Sequence, residues 1–284
     1  MRILVTGERG KIGLAFLSYI KDREGGIQAD TLSFRGADWR EVPFSQYQAI
    51  YYCLGIVDPS NPDIVKVNAE LAYEVAKKAK AEGVQKFIYL SSMAVYDFIG
   101  KNNMQEIQGD EAPKTQGGYG GSKLQGEALL KALASESFEV HIIRAPSIYG
   151  RNTEAYLSFI EKTSRWGYFD AFHDWKRSIL YVDNLSELVC LIAETTAPQA
   201  YNLYYPQNIE RCSYAEMVCL LSKITNKKRR GIKVSLKWER RLAKCKCIRR
   251  KYRPYMYSET ASNAFDYAYC VVSLEDSIKE CYNK

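Results

Sequence analysis

"MRILVTGERGKIG", residues 1–13, decides how the rest of the chain is read. The apolar run Ile3-Leu4-Val5 breaks at Thr6-Gly7, and Gly7, Gly10 and Gly13 follow at three-residue intervals. "LAFLSYIKD" (14–22) then sets Leu14, Phe16, Leu17 and Ile20 at helical spacing. The pattern is strand, glycine turn, helix. Gly7 permits the tight exit from the strand, Gly10 lets backbone approach a pyrophosphate, and Gly13 lets the helix pack on the strand. Lys11 and Ile12 begin the helix, whose unpaired N–H groups and partial positive charge suit phosphate oxygens. A glycine-rich turn without a ligand has the same letters, but its place between a strand and a helix favours a dinucleotide site.

"DTLSFRGADW" (30–39) supplies a second strand, expected at Thr31–Phe34, followed by Arg35. The acid that would hold a ribose 2′-hydroxyl is missing there. A guanidinium at 35 can pair with a 2′-phosphate, which favours NADP over NAD. Asp38, the nearest acid, comes late and is either beside the adenine or plain loop.

Strands and helices then alternate. "YQAIYYCLG" (47–55) predicts a buried strand that delivers Leu54 and Gly55 beside the cofactor. "VNAELAYEVAKKAKAEGV" (67–84) predicts a helix closed by Gly, and "KFIYLSS" (86–92) and "FEVHIIRAPSIYG" (138–150) predict two more strands. The expected fold is α/β, a Rossmann-type doubly wound parallel sheet, with ligands beyond the carboxyl ends of the strands, where Ser91-Ser92 and Pro146 fall. We expect a dinucleotide-binding domain over 1–150 and a smaller α+β substrate lobe over 151–284, with residues about 176–200 returning to the first domain.

Composition is ordinary for a globular protein, with 46% hydrophobic and 26% charged residues. No run of 18 apolar residues predicts a membrane span, and no signal peptide is evident. The eight cysteines are scattered without a CxxC pair, and the CxC at 245–247 lacks His partners. They read as reduced thiols of a cytoplasmic protein without a zinc site. Residues 227–253 hold 14 Lys or Arg against one Glu, a net of +13, so the remainder carries −6 within a total of +7.

Four stretches, "TGERGKIG", "FIYLSSMAVY" (87–96), "YGGSK" (119–123) and "RAPSIYG" (144–150), together resemble the extended short-chain dehydrogenase/reductases. The likeness is to their nucleotide-sugar branch of epimerases, dehydratases and 4-ketosugar reductases. "KRSILYVDNL" (176–185), "AYNLYYPQ" (200–207) and "VSLEDSIKE" (272–280) extend it over nearly the whole chain.

The resemblance implies Tyr119 as acid/base, Lys123 as its partner on the ribose hydroxyls, and Ser92 as hydrogen-bond partner of the reacting sugar oxygen. It implies Asn68 as a support near the cofactor and Arg177 as a contact for the substrate diphosphate. Alone, "YGGSK" reads first as a helix start with a surface Tyr and Lys. If the segment is helical, the four-residue spacing puts both side chains on one face. A phenol titrating at about 10 is a weak base at neutral pH, and a nearby ammonium lowers it. Gly120, Gly121 and Ser122 are expected to keep that neighbourhood open. Met93 and Ala94 stand where the resembling dehydratases carry an Asp-Glu pair, which argues against 4,6-dehydration. Epimerisation at C4 and reduction of a 4-ketosugar both stay open, as does the choice of NAD or NADP. A homodimer acting on a nucleotide-diphosphate sugar in glycan synthesis is the expected setting. The rival is a non-catalytic dinucleotide-binding regulator or RNA-associated relative.

The basic block has three readings: a solvated helix, a peripheral membrane contact in which Val234, Leu236, Trp238 and Leu242 interleave with cations, or nucleic-acid binding, for which no motif speaks. Some of its arginines, such as Arg253, are candidates to close over the diphosphate. Arg177 is alternatively a structural partner of Asp183. His173 is expected to be a partly buried structural residue, although Phe172 and Trp175 beside it are able to pack a sugar or base. His141 is expected in the core.

Overall fold

The computed structural model describes residues 1–34, 38–96, 106–109, 111–115, 117–151, 153, 155–245, 247–248, 252 and 255–282. Arg35 and Arg253 lie outside these described residues.

Six parallel strands form the main sheet: β1 (Arg2–Thr6), β2 (Gln28–Leu32), β3 (Ala49–Tyr52), β4 (Lys86–Ser92), β5 (Glu139–Ala145) and β10 (Tyr201–Tyr204). Their spatial order is β10-β5-β4-β3-β1-β2. β2 starts and ends earlier than the sequence suggested, pairing Arg2 with Gln28 and Thr6 with Leu32, so Ser33 and Phe34 fall in the loop at its carboxyl end.

Both faces of the sheet are covered, which explains why its strands read as continuous apolar runs. Alternate residues face opposite ways. Leu4, Ile50, Tyr52, Phe87 and Tyr89 pack against α2 (Leu71–Ala81) and Leu130 of α3 (Gly118–Lys131). Ile3, Val5, Tyr51, Ile88 and Leu90 pack against Phe16 of α1 (Lys11–Asp22) and Leu185, Leu188 and Val189 of α5 (Val182–Glu194). Arg23, just past α1, fastens the second layer through Glu187 (2.7 Å) and Glu194 (2.8 Å) on α5. Lys86 Nζ donates to the terminal α5 carbonyls of Ile192 (3.2 Å) and Ala193 (2.9 Å), a cation placed at the negative end of the helix dipole.

The smaller lobe gathers α4 (Ala155–Ser164) and α6 (Tyr214–Ile224) with three two-stranded ladders around a second core. The ladders pair β6 (Ser147–Tyr149) with β9 (Ile179–Tyr181), β7 (Tyr168–Asp170) with β12 (Gly231–Lys233), and β8 (Lys176–Arg177) with β11 (Cys212–Ser213). Ser213 and Glu216 close a capping box at the start of α6. No described helix is long and apolar enough to cross a membrane.

Tyrosine does unusual structural duty. Tyr52 Oη donates to the Val67 carbonyl (2.8 Å), Tyr257 Oη to Arg144 (2.6 Å), Tyr205 Oη to Gly109 (2.7 Å) and Tyr269 Oη to Gln207 (3.0 Å). Gly109 and Gln207 lie in irregular backbone, Arg144 near the end of β5 and Val67 in the helical turn before α2.

Candidate active site

The order of the sheet reverses at β1, which has β2 on one side and β3 on the other. At such a reversal the loops leaving neighbouring strands part and open a crevice at the carboxyl ends. Two adjoining cavities lie there, of about 450 Å³ and about 340 Å³, and both are bordered by Gly10, Cys53 and Gly55.

The glycine turn forms the floor. Gly7 has φ +84°, and a Cβ there would stand 2.7 Å from the Leu54 nitrogen, so this close approach of two strand ends requires glycine. A Cβ on Gly13 would collide with the Gly7 carbonyl, which is the helix-on-turn packing read from the sequence. No side chain caps α1 at Gly10, so the first-turn N–H groups of Lys11 and Ile12, both lining the smaller cavity, are left to a ligand. Leu54 borders the larger cavity, and Pro146 the smaller one. Thr6 Oγ1 is buried beside the turn with no partner. A continuous groove, an uncapped helix start and glycines where side chains would intrude fit an extended dinucleotide.

Asp38 is taken up elsewhere. It caps a short 3-10 turn, accepting from the Arg40 nitrogen at 3.0 Å. Ser33 and Phe34 border the larger cavity after β2, so no described acid stands at that position.

The smaller cavity brings Ser92, Tyr119 and Lys123 together. Ser92 ends β4, and Tyr119 and Lys123 lie one turn apart on α3, as the spacing predicted. Burial raises the Tyr119 phenol above its ordinary value, and the neighbouring Ser92 side chain opposes that rise. Burial therefore works against the lowering expected from Lys123. The lysine is buried, its Nζ donates to the Leu90 carbonyl at 2.8 Å, and it lies 4.7 Å from the Tyr89 ring centroid. Desolvation pulls its pKa down to about 8, against smaller opposing effects of Cys53 and Glu127.

The small residues of "YGGSK" act differently from expectation. A Cβ on Gly120 would collide with the Ala94 carbonyl, so Gly120 lets α3 touch the turn after Ser92. Ser122 is buried and donates to the Tyr119 carbonyl (2.8 Å). Only Gly121 borders open space.

Asn68 supports the site from below. It lies in a π-helical turn, Lys66–Glu70, that leads into α2. Its Nδ2 donates to the Ile56 carbonyl (2.8 Å) and Ser122 Oγ (2.9 Å), and its Oδ1 accepts from the Ile56 nitrogen (2.8 Å). One side chain thus binds the loop after β3 to the turn that carries Tyr119 and Lys123. A Cβ on Gly126 would stand 2.7 Å from the Asn68 carbonyl oxygen, so α3 meets the π-turn at backbone distance.

Arg177 is not among the described residues lining this cavity. It sits on β8, bridged to Tyr255, whose Oη donates to the Met93 carbonyl next to Ser92 (2.5 Å). Asp183 is met by Arg151 at 3.5 Å. Phe172 is buried in the lobe core against Trp175, with ring centroids 4.5 Å apart, which removes it as a sugar platform. His173 is exposed rather than partly buried and pairs with Asp170 at 3.1 Å. His141 is buried between Tyr204 Oη (3.1 Å) and Glu139 (3.0 Å), and burial pulls it down to about 3, so it stays neutral.

Residues 3–203 match the model of the "NAD dependent epimerase/dehydratase family". The chain belongs to that family. UDP-glucose 4-epimerase of Vibrio cholerae is 24% identical over 248 residues, 76% of this chain and 73% of that protein. UDP-glucuronic acid 4-epimerase from Bacillus cereus, solved with NAD, superposes with a TM-score of 0.73 at 19% identity, over 100% of this chain and 96% of that one. The dTDP-4-dehydrorhamnose reductase from Bacillus anthracis, solved with NADP, superposes at 0.68 and 18%, over 99% and 98%. At these identities the two solved structures establish a shared fold.

Sequence reasoning missed the layer beneath the family site. Ser91 Oγ donates to Glu127 (2.5 Å), and Glu127 pairs with Arg144 (2.7 Å), all three buried. Arg144 also lies against the Tyr96 and Tyr205 rings, 5.1 and 5.7 Å from their centroids. A signal was available: Glu127 follows Lys123 by four residues, and Arg144 is a cation inside an apolar strand.

Proposed function

We propose that the chain is an NAD(P)-dependent enzyme that oxidises or reduces C4 of a nucleotide-diphosphate sugar, as a 4-epimerase or a 4-ketosugar reductase. The observation that carries this reading is the meeting of Ser92, Tyr119 and Lys123 on the cavity that adjoins the glycine turn. A pure binder has no need of all three. Family membership and the epimerase and reductase relatives support it.

The nicotinamide supplies hydride transfer when bound. Gly7, Gly10, Lys11, Ile12, Gly13, Leu54, Gly55 and Pro146 hold it, on this reading. Tyr119 gives a proton to, or takes one from, the sugar oxygen at C4. Ser92, which lines the same cavity as the phenol, holds that oxygen in line with it. Lys123 is a buried donor beside Gly55: a Cβ there would stand 3.2 Å from its Nζ. Its buried charge favours the phenolate once proton transfer begins. Arg177 takes the diphosphate through the substrate lobe. A homodimer and a cytoplasmic, glycan-building setting complete the proposal; the eight free thiols accord with a reducing compartment.

Two measurements test it. Tyr119→Phe should abolish turnover of UDP- and dTDP-linked 4-ketosugars and hexoses while cofactor binding persists; retained turnover would overturn the assignment. Denaturing the purified protein and analysing what is released separates the reactions. Stoichiometric NAD means a cofactor kept through a cycle, hence epimerase. An empty protein preferring NADPH means a consumed reductant, hence reductase, which is the outcome favoured by the missing acid after β2.

A further inference from the structure

The parallel pairing of β12 with β7 sets the basic segment next to Trp166. Gly231 pairs with Tyr168, whose nitrogen donates to the Arg230 carbonyl at 3.0 Å. Trp166, two residues before, is 89% exposed. Ile232 on β12 is 47% exposed. The helix α7 (Leu236–Leu242) buries none of its residues, and its Leu236 and Trp238 are 73% and 57% exposed. Four large apolar side chains thus stand in water, at Trp166 and along residues 232–238, which a surface helix serving only solubility does not need.

The charge around them is one-sided. Eight Lys or Arg between 227 and 244 are exposed, against a single half-buried Glu239. Arg229 alone is tied down, by Glu161 at 3.5 Å; the other eight form no ion pair with a described residue. An anionic surface would relieve their mutual repulsion. Two arginines lie over the exposed indoles, Arg165 at 5.3 Å from Trp166 and Arg241 at 5.2 Å from Trp238. Each pair puts an apolar ring and a guanidinium at one depth, as the glycerol and headgroup layer of a bilayer requires. The same pairs argue against RNA, which would stack bases on the ring faces that the arginines cover. The exposed Ile232 and Leu236 have no role against a polyanion but suit an acyl-chain layer.

We propose that residues 227–244 together with Trp166 form a docking surface for an anionic phospholipid bilayer. This surface is independent of the reaction assigned to the cavity.

The test is sedimentation of the full chain with vesicles of phosphatidylcholine alone or mixed with phosphatidylglycerol. Binding is expected only to the mixed vesicles, and it should weaken about tenfold at high salt. Trp166→Ala/Trp238→Ala should lower partitioning about tenfold with an unchanged circular dichroism spectrum. Brominated lipid should quench wild-type tryptophan fluorescence and lose that effect in the double variant. Equal binding of wild type and the double variant, or none to mixed vesicles, would overturn the proposal. So would tighter binding to single-stranded RNA than to vesicles, or a dimer that the double variant dissociates.

Discussion

Asn68 Nδ2 and Ser122 Oγ are 2.9 Å apart and buried, and through them the π-turn before α2 holds the first turn of α3. Asn68→Ala leaves the Ile56 nitrogen and carbonyl and the Ser122 hydroxyl short of partners. We expect a loss of about 2–4 kcal/mol in urea unfolding, because orphaned buried polar groups retain their full desolvation cost. Turnover should fall with it, since the turn bearing Tyr119 is released. A variant with wild-type stability would mean that water replaces the side chain.

Tyr119→Phe removes the proton carrier but keeps the ring. A drop of about 10²–10⁴ in kcat is expected, the usual worth of a positioned acid or base. The dissociation constant for NADH or NADPH, followed by fluorescence, should move little. A parallel loss of cofactor affinity would make the phenol a binding group instead.

Gly120→Ala and Gly121→Ala are neighbours with opposite expectations. At 120 the new methyl meets the Ala94 carbonyl, so α3 must retreat from the turn after Ser92. At 121 it meets nothing. Gly121→Ala should stabilise by about 0.5–1 kcal/mol through helix propensity, whereas Gly120→Ala should destabilise and lower kcat. Thermal melts and steady-state rates on the pair decide it.

Lys123 gives the protein a pH signature. Its folded pKa lies near 8 and its ordinary value is 10.5. Below pH 8 the folded chain keeps a buried ammonium that it disfavours. Above pH 8 it loses that proton while the unfolded chain still holds one. Unfolding free energy therefore gains a rising contribution across pH 8 to 10.5, at most about 1.4 kcal/mol per pH unit. Subtracting Lys123→Met from wild type in cofactor-free unfolding experiments isolates it; a difference flat in pH would place the lysine pKa outside that window.

The buried pair Glu127–Arg144 should be costly to break and cheap to replace. Arg144→Met alone leaves a buried carboxylate bonded, among the described residues, only to Ser91 and is expected to cost about 3–5 kcal/mol. Adding Glu127→Leu should recover much of that. If the two losses simply add, the ion pair is not the unit that matters.

Much of this arrangement was legible in the letters because it is local. Gly7, Gly10 and Gly13 are required by contacts within one strand–turn–helix unit, and Tyr119 and Lys123 are joined by a single helical turn. Five of the six strands of the parallel sheet follow from runs that alternate with helical ones, whereas β10 does not. What stayed hidden depends on partners distant in sequence. Gly120 looks like space until Ala94 is beside it. Asp38 could be read as lying beside the adenine until it is seen to accept from the Arg40 nitrogen. Phe172 and Trp175 read as an aromatic platform, yet the pull of the lobe core outweighs any gain from exposing them. The π-turn at Asn68 has no sequence signature, since its extra residue is set by the close approach of α3 at Gly126.

The phenols that donate to stray carbonyls also set an alkaline limit on the molecule. Tyr52, Tyr257 and Tyr269 are buried, and burial holds each hydroxyl above its usual titration range. Ionising one would strand a negative oxygen against a carbonyl that needs its proton. These tyrosines therefore do not titrate one at a time. Through pH 10 and above, the unfolded chain sheds phenolic protons that the folded chain retains, and stability drains away. Ultraviolet titration should then show exposed tyrosines ionising first and the buried group appearing together, in the step where the fold gives way.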